Sequence, residues 1–467
     1  MNLSRYRSDL IAGIHFGLGI LTGLIPSTVY YWIMAAFVIG LYCTFAGVKR
    51  YPAHLFAAYL VGIELLGRMS GSGVPHELTK YSVGLLLGVS VLRSIGIIYK
   101  PYVWYILLLL PAVLLTDGGN LEATRQLISA NLSGPLCLAI SVIYFYNRRL
   151  TLVDTRKLFI AILFPLATIL GYLVINTPDF SEIEFGFQSN FVTSVYGPNQ
   201  MSSMLGLGIL IIGLSYLLKI RLFGSHLVAL GFVSFLLFRG LLTFSRGGMI
   251  TPAILLALVF IYYAWKIAGF NKNTIRVIFF AFFLLGLVII LFNYADELTG
   301  NKLGDRYAGR KGGKQIEGID KLTSGRTMIT YLDWQIFVDN PIYGVGVGMA
   351  KFARVKYGFG VEAAAHNEFS RALAEHGLFG VVALLILTLI PIQRFFHYKK
   401  TLERIMIISF IGFCFVFMTH AATRLAAPCF LYGFAFVLIL PAHYRVRRKN
   451  RLELIKSGVG KHVAAEI

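Results

Sequence analysis

The chain has 467 residues, 57% of them hydrophobic and only 14% charged, with a mean hydropathy of +0.71. Soluble domains carry about a quarter of their residues charged, so an ordinary soluble fold is excluded, and the long unbroken apolar runs lack the period-two alternation of an outer-membrane barrel. The net charge of +21 reads as the basic excess that membrane proteins keep in cytoplasmic loops, and no nucleic-acid partner is inferred from it.

Apolar runs long enough to cross a bilayer as helices begin at residue 9. They fall near 9–26, 28–46, 52–68, 81–97, 102–117, 127–147, 158–176, 201–218, 225–243, 249–266, 275–293, 378–394, 405–422 and 425–442. The expected fold is therefore all-α, one polytopic integral membrane domain over 1–467 with about fourteen transmembrane helices (12–14). The first two runs meet at Ile25-Pro26-Ser27 and read as a hairpin, because proline ends a helix. The first run follows Arg5 and Arg7 and leads directly into the second, so it reads as a retained span.

An N-terminus in the cytoplasm puts Lys49-Arg50, Arg148-Arg149, Lys219 with Arg221, and Lys399-Lys400 on the inside, and leaves only scattered charges such as Lys80, Arg125 and Arg424 outside. On this orientation the segment before Pro198, the turn Ser245-Arg246-Gly247-Gly248 and the long polar loop 294–377 all face outward. The basic tail 443–467 is cytoplasmic and reads as a lipid anchor or a solvated end. Cys43, Cys137, Cys414 and Cys429 lie in apolar spans without metal-ligand spacing and read as small buried residues.

Arg246 stands just outside the ninth run, before two glycines that let a ligand approach the backbone. A guanidinium binds phosphate oxygens in a two-pronged fashion. Arg239, seven residues earlier, is expected to share a helical face with it and to face a polar cavity or snorkel outward. Arg326 follows Thr323-Ser324-Gly325. Ser324 reads as the cap of a helix ending before Asn340-Pro341, which puts Arg326 in its first turn. His366-Asn367 opens a second short helix that Gly377 stops. The imidazole there can accept a proton near neutral pH.

Three further patterns read as structural. Glu64 and Arg68 are four apart in a span and pair. Gly344-Val345-Gly346-Val347-Gly348 lacks a following Lys-Ser/Thr and reads as a turn beneath the cap. Asp179, Glu182 and Glu184 are acidic but lack metal-ligand spacing, and no metal is expected.

Taken in order, Ser245-Arg246-Gly247-Gly248, the run Arg326 … Asn340-Pro341 … Gly344-Val345-Gly346, and His366-Asn367-Glu368-Phe369 … Gly377 resemble the O-antigen ligase and polymerase superfamily. Asn199 in Gly197-Pro198-Asn199-Gln200 also matches, and the resemblance covers 198–382. It implies a metal-independent glycosyltransferase without cofactor in the bacterial inner membrane, its site facing the periplasm. The implied donor is a glycan on undecaprenyl diphosphate and the acceptor a lipid-linked sugar. Carried over by motif, Arg246, Arg326 and His366 would be catalytic, with Arg239, Asn199, Asn367 and Gly247 binding substrate. A ligase acting on a lipid A-core acceptor is the leading reading, a repeat-unit polymerase the alternative. A transporter or flippase is a third, which intramembrane charges at mid-span would favour.

Overall fold

The computed structural model describes residues 3–94, 98–177, 197–266, 272–311, 314–315, 326–363 and 365–440. These form an all-α polytopic fold. The helices are α1 (Leu3–Leu24), α2 (Thr28–Phe45), α3 (Ala53–Met69), α4 (Leu78–Ser94), α5 (Lys100–Leu109), α6 (Leu121–Phe145), α7 (Leu152–Asn176), α8 (Pro198–Leu217), α9 (His226–Leu242), α10 (Arg246–Lys266) and α11 (Lys272–Leu298). Three short polar helices follow: α12 (Lys302–Ala308), α13 (Arg326–Asp339) and α14 (Ala350–Lys356). The chain then re-enters the bundle as α15 (Glu368–His397), α16 (Thr401–Met406), α17 (Gly412–Ala421) and α18 (Ala426–Phe434).

Among the described residues, seven helices are long and apolar enough to cross a membrane, or eight when α11 and α12, bent by 119°, are taken together. The expected fourteen is not reached on that measure. Its shortfall lies in helices such as α3, α4 and α9, of 17 residues each, and α18, of 9. At 1.5 Å per residue, α18 rises only about 14 Å, roughly half the hydrocarbon thickness. The junction at Pro26 does turn the chain between α1 and α2, but α1 packs chiefly along α7 rather than against α2.

The core is a continuous apolar interior in which α6 meets α18, α3 meets α7, and α8 meets α10. Phe145, Phe159, Phe410 and Phe434 interlock edge-on or tilted at its centre, the arrangement that aromatic quadrupoles favour. Helices α8 and α10 approach until a side chain at Gly206 would strike the Gly248 carbonyl and one at Gly248 would strike Ser202.

The two ends of the bundle differ. At one end, β1 (Arg149–Thr151) pairs in parallel with β4 (Leu438–Leu440), Asp9 accepts the Gly224 and Ser225 N–H groups at 2.7 and 2.8 Å, and Arg156 donates to the Arg221 and Leu222 carbonyls. Arg394 lies 4.3 Å over the Tyr146 ring there. The other end gathers Arg68, whose guanidinium donates to the Arg424 carbonyl, together with the starts of α8, α10 and α15 and the polar helices α13 and α14. A two-residue hairpin, β2 (Arg310–Lys311) with β3 (Lys314–Gln315), follows α12.

Candidate functional site

The residues singled out in the sequence lie at this second end. Helix α9 stops at Leu242 because the chain turns through Phe244, a non-glycine residue at φ +57°. Arg246 is then the first residue of α10. Arg239 and Arg246 therefore belong to different helices, and the expectation of a shared helical face is corrected: the spacing was right for one helix, but the turn at 243–245 breaks it. Arg239 is buried and reaches across to the end of α7, donating to the Leu173 carbonyl at 3.3 Å and to the Thr177 hydroxyl.

The turn before Arg246 is pinned on two sides. The Ser245 hydroxyl donates to Asn199 Oδ1 at 2.8 Å, which ties it to the start of α8, and Arg306 of α12 donates to the Phe244 carbonyl at 3.2 Å. Arg246 and Arg306 both bear electrostatically on Tyr307, so two guanidinium groups share this corner. A Cβ added at Gly247 would lie 3.4 Å from the ring of His420, which itself bonds the Ser203 hydroxyl at 2.9 Å.

His420 ends α17, and the next residues hold His366. The Ala422 N–H donates to the His366 carbonyl at 3.1 Å, and Arg424 donates to the Ala365 carbonyl at 2.8 Å. Asn367 caps α15 by accepting the Phe369 N–H at 3.0 Å. Glu368 accepts from the Thr423 N–H and hydroxyl at 3.3 and 3.2 Å. Residues 365–368 are thus laced to the 420–424 turn, whose other flank touches Gly247. The structure brings Arg246, Gly247, Asn199, His366 and Asn367 to one corner of the molecule, with Arg239 on the α7 side. Ala422 is held at φ +51°, ψ −152°, a conformation essentially reserved for glycine.

Helix α13 begins at Arg326, as expected, and ends at Asp339 before Asn340-Pro341. The Arg326 side chain and the proposed cap Ser324 lie outside what is described. So do Asp179, Glu182 and Glu184 and the basic tail from 443 on. Beyond α13, Tyr357 donates to the Asp339 carboxylate, which pushes its phenol pKa up.

The glycine run is a turn, not a phosphate loop. Its Val345 and Gly346 N–H groups donate to the Ala374 and Glu375 carbonyls at 3.0 and 3.2 Å, and that of Val347 to the Thr116 hydroxyl at 2.9 Å. Those donors are spent on the protein. Helix α15 breaks at Gly377 (φ +58°), where a Cβ would lie 2.5 Å from the Pro341 carbonyl oxygen. A second helix runs on to His397, so Gly377 divides a short helix from the following span, as expected.

Sequence reasoning overlooked the buried ion network behind His366. Arg371 pairs with Glu368 at 2.5 Å and Glu375 at 2.8 Å, and donates to Asn131 Oδ1 at 3.1 Å. Arg354 pairs with Asp333 at 2.7 Å, and Ser370 donates to the same carboxylate at 2.6 Å. The spacing Glu368-x-x-Arg371-x-x-x-Glu375 at the head of an apolar helix was a usable signal, since these positions share one helical face. Arg354 and Asp333, 21 residues apart on two short helices, carried none. Glu64 and Arg68 do pair, at 2.6 Å.

Residues 231–385 match the family model described as O-antigen ligase. That stretch contains Arg239, Arg246, Arg326, His366 and the Glu368–Glu375 network; Asn199 precedes it. Comparison with curated proteins gives no match, and comparison with solved structures gives none either.

Proposed function

Membership of the O-antigen ligase superfamily, carried by residues 231–385, is the premise on which we propose that this membrane protein transfers a glycan from undecaprenyl diphosphate to a lipid A-core type acceptor. The site faces the periplasmic side of the inner membrane on this reading, opposite the basic end of the bundle.

The observation that supports the proposal is that the start of the Arg246 helix and the His366 backbone both abut the 420–422 turn. Gly247 packs beside His420, and two residues on, Ala422 holds the His366 carbonyl. A fixed cation and an imidazole at one corner suit the reaction. The bond between the anomeric carbon and the diphosphate oxygen breaks, and its electron pair leaves with the lipid diphosphate. Arg246, with Arg326 from the start of α13, stabilises that growing negative charge. The acceptor hydroxyl bonds to the anomeric carbon from the opposite face and passes its proton to His366, which inverts the centre. Asn199 steadies the Arg246 turn through Ser245, and Asn367 fixes the helix start beside the base.

In a reconstituted transfer assay, Arg246→Ala is expected to lose about 3–4 kcal/mol of transition-state stabilisation, a factor of roughly 10² to 10³ in rate. His366→Ala is expected to fall by roughly 10² or more. Wild-type transfer by either variant would end the proposal. Cells lacking the protein should accumulate long glycan on the lipid carrier; accumulation of single repeat units would instead identify a polymerase.

A further inference from the structure

A cavity of about 460 Å³ opens at the basic end of the bundle, a volume that suits a small ligand or a lipid headgroup. Arg149 of β1 enters its wall from one side. Arg394 and His397 enter from the last turn of α15, followed by Tyr398 and Lys399. No carboxylate lines it among the described residues. Carboxylates of the adjoining segments are engaged elsewhere. Asp154 accepts from the Thr151 N–H and hydroxyl at 3.1 and 2.7 Å, and Glu403 accepts the Ile439 N–H and lies 3.9 Å from Lys400.

Basic residues collect at one end of a membrane protein for topological reasons alone, so the informative point is which of them are already engaged. Arg148 donates to the Tyr144 carbonyl at 3.1 Å and lies over its ring. Arg156 is held by the Arg221 and Leu222 carbonyls, Arg404 by the Tyr398 carbonyl at 2.7 Å, and Lys400 by the Ile439 carbonyl at 3.4 Å. By contrast, Arg149, His397 and Lys399 are exposed, and their side chains have no hydrogen-bond or ion-pair partner among the described residues. The wall that carries them is already fixed. Arg149 pairs in register with Leu438, and the Tyr398 hydroxyl donates to the Phe436 carbonyl at 3.1 Å. Arg394 lies over Tyr146, whose ring stacks on Tyr99 at 3.7 Å.

A preformed cationic cavity without a compensating acid suits an anion that bears phosphate. Its depth decides the source. Helix α15 is long and apolar enough to cross a membrane, and its exposed Leu385, Leu389, Ile392 and Phe396 form one stripe. The cavity adjoins the last turn of that helix, which is the level of the lipid headgroups. We propose that this cavity holds the headgroup of an anionic glycerophospholipid, its phosphodiester bound by Arg149 and Lys399 and its acyl chains in the bilayer beside α15. Glycan transfer does not require this lipid, so the site stands or falls apart from the transferase reading.

The test is native mass spectrometry of the full chain in detergent, with phosphatidylglycerol and phosphatidylcholine of the same acyl chains as probes. Both carry the phosphodiester, but only the first is a net anion. The wild type should bind phosphatidylglycerol at least ~10-fold more tightly. Arg149→Gln combined with Lys399→Gln should remove that preference and leave phosphatidylcholine binding unchanged. Both side chains are exposed, so this double variant should melt like the wild type without added lipid; if it melts lower, Lys399→Gln alone carries the test, with about a fivefold loss. Lys49→Gln combined with Arg50→Gln removes the same charge at the same end outside the cavity, and should keep the preference. Equal binding of the two lipids by the wild type overturns the site. So does an equal loss in the two double variants, which is diffuse attraction to a basic surface. Inorganic phosphate is the third probe: if the wild type binds it, the cavity variant does not, and neither lipid is preferred, the cavity takes a free anion and the lipid assignment is overturned.

Discussion

Two non-glycine residues at positive φ, Phe244 and Ala422, adjoin the start of the Arg246 helix and the His366 backbone. Each costs of order 1–3 kcal/mol, and such strain persists only where the surroundings hold it. Here the holding groups are visible: Arg306 on the Phe244 carbonyl and His366 on the Ala422 N–H. The arginines divide by task. Arg371 is enclosed by Glu368, Glu375 and Asn131 and has no capacity left for a substrate, so its role is to fix the helix behind His366. Arg371→Ala would leave two buried carboxylates unpaired and should destabilise the protein by about 3–5 kcal/mol; thermal unfolding in detergent measures this, and an unchanged melting temperature would contradict the assignment. Arg246→Lys keeps the charge but loses the two-pronged fork. It should unfold like the wild type while transferring glycan roughly tenfold more slowly, a separation of activity from stability that Arg371→Ala cannot show.

At the scale of elements, the spans were legible where they are long. The apolar runs at 158–176 and 249–266 lie within one helix each, and those at 127–147 and 201–218 overrun theirs by only one or two residues. What defeated the reading was local geometry with no periodic signature. The Phe244 turn separates two arginines whose spacing suited a single helix, whereas at Gly377 the short helix beside His366 does give way to a span, as expected. A glycine marks a permissive position but does not say whether the chain stops or bends there. Gly377→Ala tests the bend. It imposes a side chain on a left-handed residue against the Pro341 and Ile342 carbonyls, so it should cost roughly 2 kcal/mol or more. Gly248→Ala tests the close approach of α8 and α10: the added methyl would meet Ser202 and must part the helices. Because Arg246 opens α10, transfer activity should fall even where the variant still unfolds cooperatively; full activity would mean that the helix spacing does not position the arginine.

For the whole molecule, the sequence foretold a polarity that the fold makes concrete. Basic connections after α6, α8 and α15 meet at one end, and the starts of α8, α10 and α15 meet at the other. The motif residues were readable because each sits beside a helix start. The ion pairs that stiffen the site were not, because they join segments far apart in the chain, as Arg68 to Arg424 and Arg371 to Asn131 do. The proposed orientation, with the basic end toward the cytoplasm, follows the distribution of basic residues and is open to a direct labelling test. Lys351, with a side chain 34% exposed, stands at the candidate-site end, and exposed Arg149 at the basic end. In a Cys43→Ser background, whose remaining cysteines are buried, Lys351→Cys should react with a membrane-impermeant maleimide in intact spheroplasts and Arg149→Cys only after lysis. The reverse pattern would place His366 and Arg246 in the cytoplasm, where a lipid-linked glycan already carried across the membrane cannot reach them, and the transferase reading would fall with the orientation.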